Sequence, residues 1–334
     1  GNISSGKSTF LKILGRTGLM KTKMQVVQEP VEKWQNCATG KNGSNKVNLL
    51  MEFYKDPQKF AYRFQNYVFL TRVVQERESY TAAELFRVLE RSVFSDRMVF
   101  VRAMHAARQM NDTDMAIYDS WFDPVLSTLP TLVPNGFIYL RAEPETCHTR
   151  LKKRAREEES SVPLDYLTTL HENHEDWLYN GGASADDSKY LMVGPTGQTL
   201  HHSSLMEGPG GVLPHQVAQG SLYPGLSFHL SDMALSDSMQ AQRLIGAAAV
   251  PRLPSSLQGH VRLMDMTGKE HIHPLLHTVP ALVLDCNSDL DVEQDQMYQA
   301  EVASKVSSYC DYVRDYMSAR ARAVKQQEEH VAQS

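Results

Sequence analysis

The chain has 334 residues, with 34 Lys and Arg against 39 Asp and Glu, a formal net charge of −5. Such mild acidity argues against a surface built to grip nucleic acid or an anionic membrane. No run approaches the ~18 uncharged apolar residues of a membrane-spanning helix, and 42% hydrophobic content suffices for a sizeable core. Four well-separated cysteines (Cys37, Cys147, Cys286, Cys310) form no CxxC pair, so the sequence reads as that of a protein from a reducing compartment.

The chain opens Gly1-Asn2-Ile3-Ser4-Ser5-Gly6-Lys7-Ser8-Thr9, the pattern G-x-x-x-x-G-K-[ST]. Its glycines let backbone N–H groups close around an anion, Lys7 reaches the outer phosphates of a nucleotide, and the Ser8 hydroxyl suits a Mg²⁺ ligand. The pattern requires a strand before it and a helix after it. Apolar residues at helical spacing predict the helix over 9–15. The sequence starts at the first glycine, not at Met, and is read as a fragment whose native start lies out of view.

Farther along, Gln25-Val26-Val27 has strand character, and residues 47–54 and 60–78 read as helices. The second of these carries Phe64, Tyr67, Val68, Thr71 and Val74 along one face. Segments 115–120, 136–141 and 280–285 read as short buried strands. Segment 145–157 reads as a basic helix, 164–178 and 296–322 as further helices, and 326–334 as a polar tail. Short apolar strands alternating with helices predict an α/β fold, a parallel sheet with helices on both faces. Residues 181–270 differ. They hold 18 of the 34 Gly and Pro residues but 12 of the 73 charged ones, so they read as a Gly/Pro-rich, partly disordered surface insertion. The expected organisation is one domain over 1–178 and 271–325, interrupted by that insertion.

Four further segments follow the phosphate loop in order: Gln28-Glu29-Pro30-Val31-Glu32-Lys33-Trp34; Phe64-Gln65-Asn66-Tyr67; Glu90-Arg91-Ser92-Val93-Phe94-Ser95-Asp96-Arg97; and Arg150 to Glu159 leading into Val162-Pro163-Leu164-Asp165-Tyr166-Leu167 and His174-Glu175-Asp176-Trp177-Leu178. In this order the chain resembles the deoxynucleoside kinases, nearest their deoxycytidine/deoxyguanosine branch. The stretch Val279-Pro280-Ala281-Leu282-Val283-Leu284-Asp285-Cys286, after an enlarged segment, looks like the plant-type members. The resemblance covers 1–178 and 271–316. It implies a P-loop kinase fold with a helical lid, ATP and Mg²⁺, a small-molecule deoxynucleoside as substrate, and a homodimer, for which Val68 or Val99–Val101 offer apolar faces. It leaves cytosol, mitochondrion and plastid open.

The chemistry is arguable beside the resemblance. Phosphoryl transfer needs positioning, charge neutralisation and a base beside the attacking hydroxyl. Glu29 follows a strand, at the end where open α/β sheets bind ligands, and a carboxylate there can take the proton of a sugar 5′-hydroxyl. Arg91 would set a guanidinium near that hydroxyl and the γ-phosphate, and the resemblance implies that Glu90 would hold Mg²⁺ through water. By themselves Glu90 and Arg91 would read as a surface ion pair; with Lys7 and Glu29 they read as catalytic.

The resemblance selects Arg150, Arg154 and Arg156 as phosphate ligands, joining Gly1, Asn2, Ser4, Ser5, Gly6, Lys7, Ser8 and Thr9, and leaves Lys152 and Lys153 merely solvated. It pairs Tyr54 with Glu159 on the sugar 3′-hydroxyl and sets Asp289 in the loop around the adenine of ATP. Gln65 can donate and accept one hydrogen bond each, matching an amide-like base edge, and the resemblance implies that Trp34, Phe53, Phe64 and Phe100 supply aromatic walls for stacking. Gln65 and Arg72 lie seven residues apart on one helix face. An ionised Asp96 only accepts hydrogen bonds and so favours an exocyclic amine. Arg72 holds Asp96 or reaches a guanine carbonyl. The expected substrates are therefore deoxycytidine and purine deoxynucleosides, with thymidine poor.

Two other readings stand beside this one. A nucleoside monophosphate kinase lacks the Glu-Pro-Val…Trp and Glu-Arg-Ser combination. A non-catalytic assembly subunit on the same fold is expected to lose the loop lysine or the base. His271, His273 and His277 have no Cys or acidic partner at ligand spacing and read as exposed histidines.

Overall fold

In the computed structural model the described residues are 1–16, 24–39, 45–80, 86–179, 182–184, 251–264, 273, 276, 279–288 and 295–333. Helix α1 (Lys7–Arg16) follows the phosphate loop and leads to strand β1 (Met24–Val27). A short helix α2 (Val31–Gln35) precedes the hairpin strands β2 (Cys37–Thr39) and β3 (Asn45–Val47), which pair antiparallel. Helices α3 (Leu49–Lys55) and α4 (Pro57–Ser79) come next. Each has its N-terminus capped, α3 by the Asn48 side chain on the Met51 N–H and α4 by Asp56 on the Lys59 N–H with Pro57 at its first position.

Strand β4 (Phe86–Leu89) runs parallel to β1 in register Met24 with Phe86 through Val27 with Leu89. Residues 93–106 form one helical run, α5, whose middle, Asp96–Val101, is π-helical. After α6 (Asp112–Thr128), β5 (Phe137–Arg141) enters a second sheet of order β5-β8-β7-β6. Here β8 (Ala281–Asp285) is parallel to β5, while β7 (Val261–Met264) and β6 (Gly182–Ser184) are antiparallel additions. Between β5 and β6 lie α7 (Pro144–Arg154) and α8 (Leu164–Leu178), and α9 (Gln296–Gln333) ends the chain.

Alternation along the strands places two cores on opposite faces. Phe137, Tyr139, Ala281 and Val283 face the larger one, with α4, α5, α6 and α8. Ile138, Leu140, Leu282 and Leu284 face the smaller one, with α1 and α9. The expected parallel strands with helices on both faces are thus present. The β1–β4 pair shares no hydrogen-bonded neighbour with the β5 sheet among the described residues. A cavity of about 660 Å³ lined by Phe86, Val88, Ile138, Leu140, Trp177 and Tyr309 lies along both.

The structure corrects several expectations. Residues 115–120 are not a strand but the middle of α6. A capping box between Asn111 and Asp114 starts that helix, and Tyr118, Phe122 and Leu126 bury at four-residue spacing. Val47 belongs to β3, so the helix expected from 47 starts at Leu49. Val74 of α4 is exposed rather than on the buried face. Val68, Val99 and Val101 are core residues, at 3%, 0% and 0% exposure, and offer no free face for a second copy. Helix α9 continues through the segment expected as a polar tail.

Residues 182–184 and 255–264, assigned by composition to the insertion, enter the sheet and its core, where Leu257 and Val261 are fully buried. Strands of three and four residues carry too little periodicity to register against Gly and Pro content. The rest of the insertion, 185–250, and His271 and His277 lie outside the described residues. No described helix is long and apolar enough to cross a membrane.

Candidate active site

The phosphate loop is shaped by backbone conformations that few residues tolerate. Gly6 sits at φ +96° and Ser4 at φ +60°, both left-handed. At Gly1 a Cβ would lie 2.3 Å from the Leu140 carbonyl oxygen, so only glycine lets the loop approach β5 that closely. Asn2, expected among the phosphate ligands, instead turns its side chain into the protein. Its Nδ2 donates to the Leu167 carbonyl at 2.8 Å, which pins the loop to α8. Lys7 Nζ donates to the Asn2 carbonyl at 2.6 Å. Burial and the Arg91 guanidinium push the Lys7 ammonium down to about 7, against the pull of Glu90 and Glu29. An anion seated on the loop would restore that charge.

A cavity of about 1020 Å³ opens over the loop and brings together Ser4, Gly6, Lys7, Ser8, Thr9, Glu29, Glu90 and Arg91. Glu29 follows β1, and Arg91 follows β4, the parallel strand beside it, so neighbouring strand ends carry the pair. Arg91 Nη1 donates to both Glu29 oxygens at 3.0 Å, and Arg72 Nη2 donates to Oε1 at 2.7 Å. Burial alone would raise the Glu29 carboxyl, but Arg91, Arg72 and Lys7 pull it down to about 2. Arg91 holds this position with a left-handed backbone, φ +62°, and its guanidinium carbon lies 4.7 Å from the Phe100 ring centre. A non-glycine residue in that conformation is strained, and such strain persists where surrounding contacts fix it.

The far end of the same cavity is lined by the aromatic residues expected to hold a base. Phe53 and Phe64 stack with ring centres 4.9 Å apart, and Trp34 meets Phe64 edge-on at 5.7 Å. Trp34 is oriented by its Nε1–H on the Thr71 hydroxyl at 2.9 Å. Gln65 is 2% exposed, and its Oε1 has no partner within the protein. Asp96 takes a bidentate pair of bonds from Arg72, whose Nη1 also donates to the Glu90 carbonyl at 3.1 Å. Burial pushes the Asp96 carboxyl up while Arg72 pulls it down. Arg72 therefore holds Asp96 and Glu29 at once and joins the two carboxylates. Its own side chain stands behind the cavity rather than in its wall.

The lid helix α7 ends at Arg154 because Ala155 turns left-handed, φ +51°, which brings Arg156 around beside it. Arg154 and Arg156 both donate to Glu159, the latter at 3.4 Å. The two expected phosphate ligands thus rest on the expected sugar ligand, and all three line the cavity. Arg150 donates to the Cys286 and Ser288 carbonyls at 2.7 and 2.9 Å and ties the lid to the loop after β8. Asp289, the expected adenine contact, lies outside the described residues. Lys153, expected only in solvent, borders the cavity. Gly1, Asn2 and Ser5 do not.

Sequence reasoning missed two features. Glu158 Oε1 accepts from Gln35 Nε2 at 2.7 Å and Asn48 Nδ2 at 2.9 Å, which latches the lid to α2 and to the cap of α3. Only the Asn48 cap left a local signal, a polar residue ahead of an apolar run. Tyr166, at the start of α8, lines the cavity with a buried hydroxyl that has no partner.

Ser8 and Glu90 face the cavity beside Lys7. One hydroxyl and one carboxylate are hard oxygen donors, the set that Mg²⁺ uses when phosphates and water complete its shell. No cluster of three or more His, Cys, Asp or Glu that could cage a metal occurs among the described residues. His273 instead pairs with Asp123 at 3.0 Å.

Comparison with known proteins places this geometry. Residues 1–195 match the family model for deoxynucleoside kinases. A probable deoxycytidine kinase of fowlpox virus is 39% identical over 178 residues, 53% of this chain and 69% of that protein. Human mitochondrial thymidine kinase 2 is 38% identical over 206 residues, 62% of this chain and 71% of that one. Chicken deoxycytidine kinase 2 is 36% identical over 193 residues, 54% and 72%. The family match spans 195 of 334 residues and takes in the phosphate loop, Glu29, Arg91 and the lid, so this chain belongs to the deoxynucleoside kinase family, with the P-loop kinase fold.

Proposed function

We propose that this kinase transfers the γ-phosphate of ATP to the 5′-hydroxyl of deoxycytidine and of purine deoxynucleosides, as a step of deoxynucleotide salvage, and works as a homodimer. The observation that carries the reading is Arg72 bound at once to Glu29 and Asp96. It fixes a carboxylate at the base edge, where an exocyclic amine is a donor and the thymine carbonyl is not. A carboxylate facing that carbonyl leaves a buried polar group unpaired, at a cost of about 1–3 kcal/mol.

The reaction follows from the placement of the groups. Gln65 and the aromatic walls hold the base, while Tyr54 and Glu159 hold the sugar. Glu29, ionised at every working pH, orients the 5′-hydroxyl and accepts its proton as the new oxygen–phosphorus bond forms and the bond from the γ-phosphorus to the β,γ-bridging oxygen breaks, with ADP leaving. Arg91 steadies Glu29 and presents its remaining N–H groups to the transferring phosphoryl. Lys7 and the loop N–H groups carry the donor phosphates. Arg154 and Arg156 exchange Glu159 for phosphate oxygens as the donor enters. Ser8 and Glu90 would hold Mg²⁺, which would supply charge neutralisation for the donor phosphates. Survival of Lys7, Ser8, Glu29 and Arg91 argues against a non-catalytic assembly subunit.

The test is ATP-dependent phosphorylation of the four natural deoxynucleosides by the full natural chain. Turnover of deoxycytidine and the purine substrates, weak turnover of thymidine, and a gain in thymidine use in Arg72→Met/Asp96→Ala are the expected results. Thymidine as the best substrate of the unsubstituted protein would overturn the base-edge argument. Phosphorylation of none of the four by folded protein would overturn the kinase reading and favour the assembly role.

A further inference from the structure

The sugar end of the cavity holds one polar group that the mechanism above leaves idle. Tyr166 lines the cavity with Tyr54 and Glu159, and its hydroxyl is buried without a hydrogen-bond partner. Its position is not adjustable slack. Tyr166 lies in the first turn of α8, beside Leu167, which is fully buried and whose carbonyl receives the Asn2 side chain of the phosphate loop. On the other side, the Val162 N–H donates to the Glu159 carbonyl, so Glu159 and Tyr166 belong to one short, anchored connection. Burial, and next to it the neighbouring Tyr166, push the Tyr54 hydroxyl well above its ordinary value, which keeps Tyr54 a protonated donor. A buried hydroxyl left unpaired is a cost to the free protein. Such a cost is retained where a ligand supplies the partner.

We propose that Tyr166 is a third sugar-contacting residue, its hydroxyl donating to the same sugar hydroxyl that Tyr54 and Glu159 hold. The valences of that hydroxyl fit. It has one proton, which the Glu159 carboxylate accepts, and two lone pairs, one for Tyr54 and one for Tyr166. The inference rests on the reading of the protein as a deoxynucleoside kinase and adds a binding residue to that site.

Tyr166→Phe removes the hydroxyl and keeps the ring. The expected result has three parts: KM for deoxycytidine rises about 5–10-fold, the loss of one hydrogen bond; KM for ATP stays the same; and the thermal unfolding midpoint is unchanged or higher, because an orphan has been removed. With 2′,3′-dideoxycytidine, which lacks the sugar hydroxyl in question, the variant and the unsubstituted protein should have equal KM. An unchanged KM for deoxycytidine, or an equal loss on the dideoxy analogue, would overturn the assignment. Calorimetric binding of deoxycytidine gives the same comparison without turnover. Absence of turnover with binding intact would therefore strike the kinase reading while still deciding Tyr166, and absence of binding in the unsubstituted protein would overturn both.

Discussion

Glu29 meets two guanidiniums, and this has a consequence for the protein apart from catalysis. Its carboxyl sits at about 2 when folded, against an ordinary 4.5. A depressed native value means that the unfolded chain binds more protons between those two pH values, so stability is fully present above about 4.5 and is lost as pH falls toward 2. The shift corresponds to about 3 kcal/mol at neutral pH. Denaturant unfolding at pH 6, 4 and 3 should show that loss in the natural protein, and Glu29→Gln should flatten it while lowering stability at pH 6. An equally steep acid loss in the variant would place the effect elsewhere. The sequence made Glu29, Arg91 and Lys7 legible because each sits in a run whose residue types the chemistry demands. It did not reveal the left-handed backbone of Arg91 or the turn of Asn2 into α8. Nothing in an Asn or Arg codon distinguishes a side chain facing a ligand from one facing a carbonyl.

At the scale of elements, the lid is fastened by contacts of two kinds. Arg154 and Arg156 on Glu159 are exchangeable, since an entering phosphate offers the same guanidiniums a stronger partner. The Glu158 bonds to Gln35 and Asn48 compete with no ligand charge, and both amides lower the Glu158 carboxyl in return. Glu158→Ala should therefore loosen the lid without touching substrate. Trypsin should cut the Lys152–Arg156 segment several-fold faster, and KM for the deoxynucleoside should rise while unfolding changes little, since Glu158 is only half-buried. Cleavage at the natural rate would show that the latch carries no strain of lid opening. Long-range bonds of this kind, 110 and 123 residues apart, leave no pattern in sequence. Elements whose periodicity is strong were legible: α8 matches its expected limits, and α4 differs only at the ends. Segment 115–120 failed because Met-Ala-Ile-Tyr is equally apolar on either period. The Asn111 cap and the four-residue spacing of Tyr118, Phe122 and Leu126 decided for helix, in spite of Pro124 inside α6.

On the scale of the whole molecule, α4 has two working faces. Gln65 and Arg72 bury toward the site, whereas Leu70 and Val74, four residues apart, are 56% and 37% exposed. Helix α6 packs beside it through Phe69 and Trp121, ring centres 4.3 Å apart, and adds the exposed Ile117. Valines at 68, 99 and 101 suggested a dimer face from sequence because apolar character was visible and burial was not. On α4 and α6 the large apolar residues left in water are Leu70, Val74 and Ile117 instead. Large aliphatic groups on two adjacent helices are what a second copy would cover in the proposed homodimer. Light scattering should then give twice the mass of one chain, about 75 kDa for these 334 residues of 37.7 kDa. Leu70→Glu with Ile117→Glu should return it to one chain, since two like charges buried on each side cannot be solvated or paired. Because the same helix carries Gln65 and Arg72, the separated chains should also bind deoxynucleoside more weakly. A monomeric natural protein would refute the dimer. A dimer insensitive to both glutamates would move its interface to another surface.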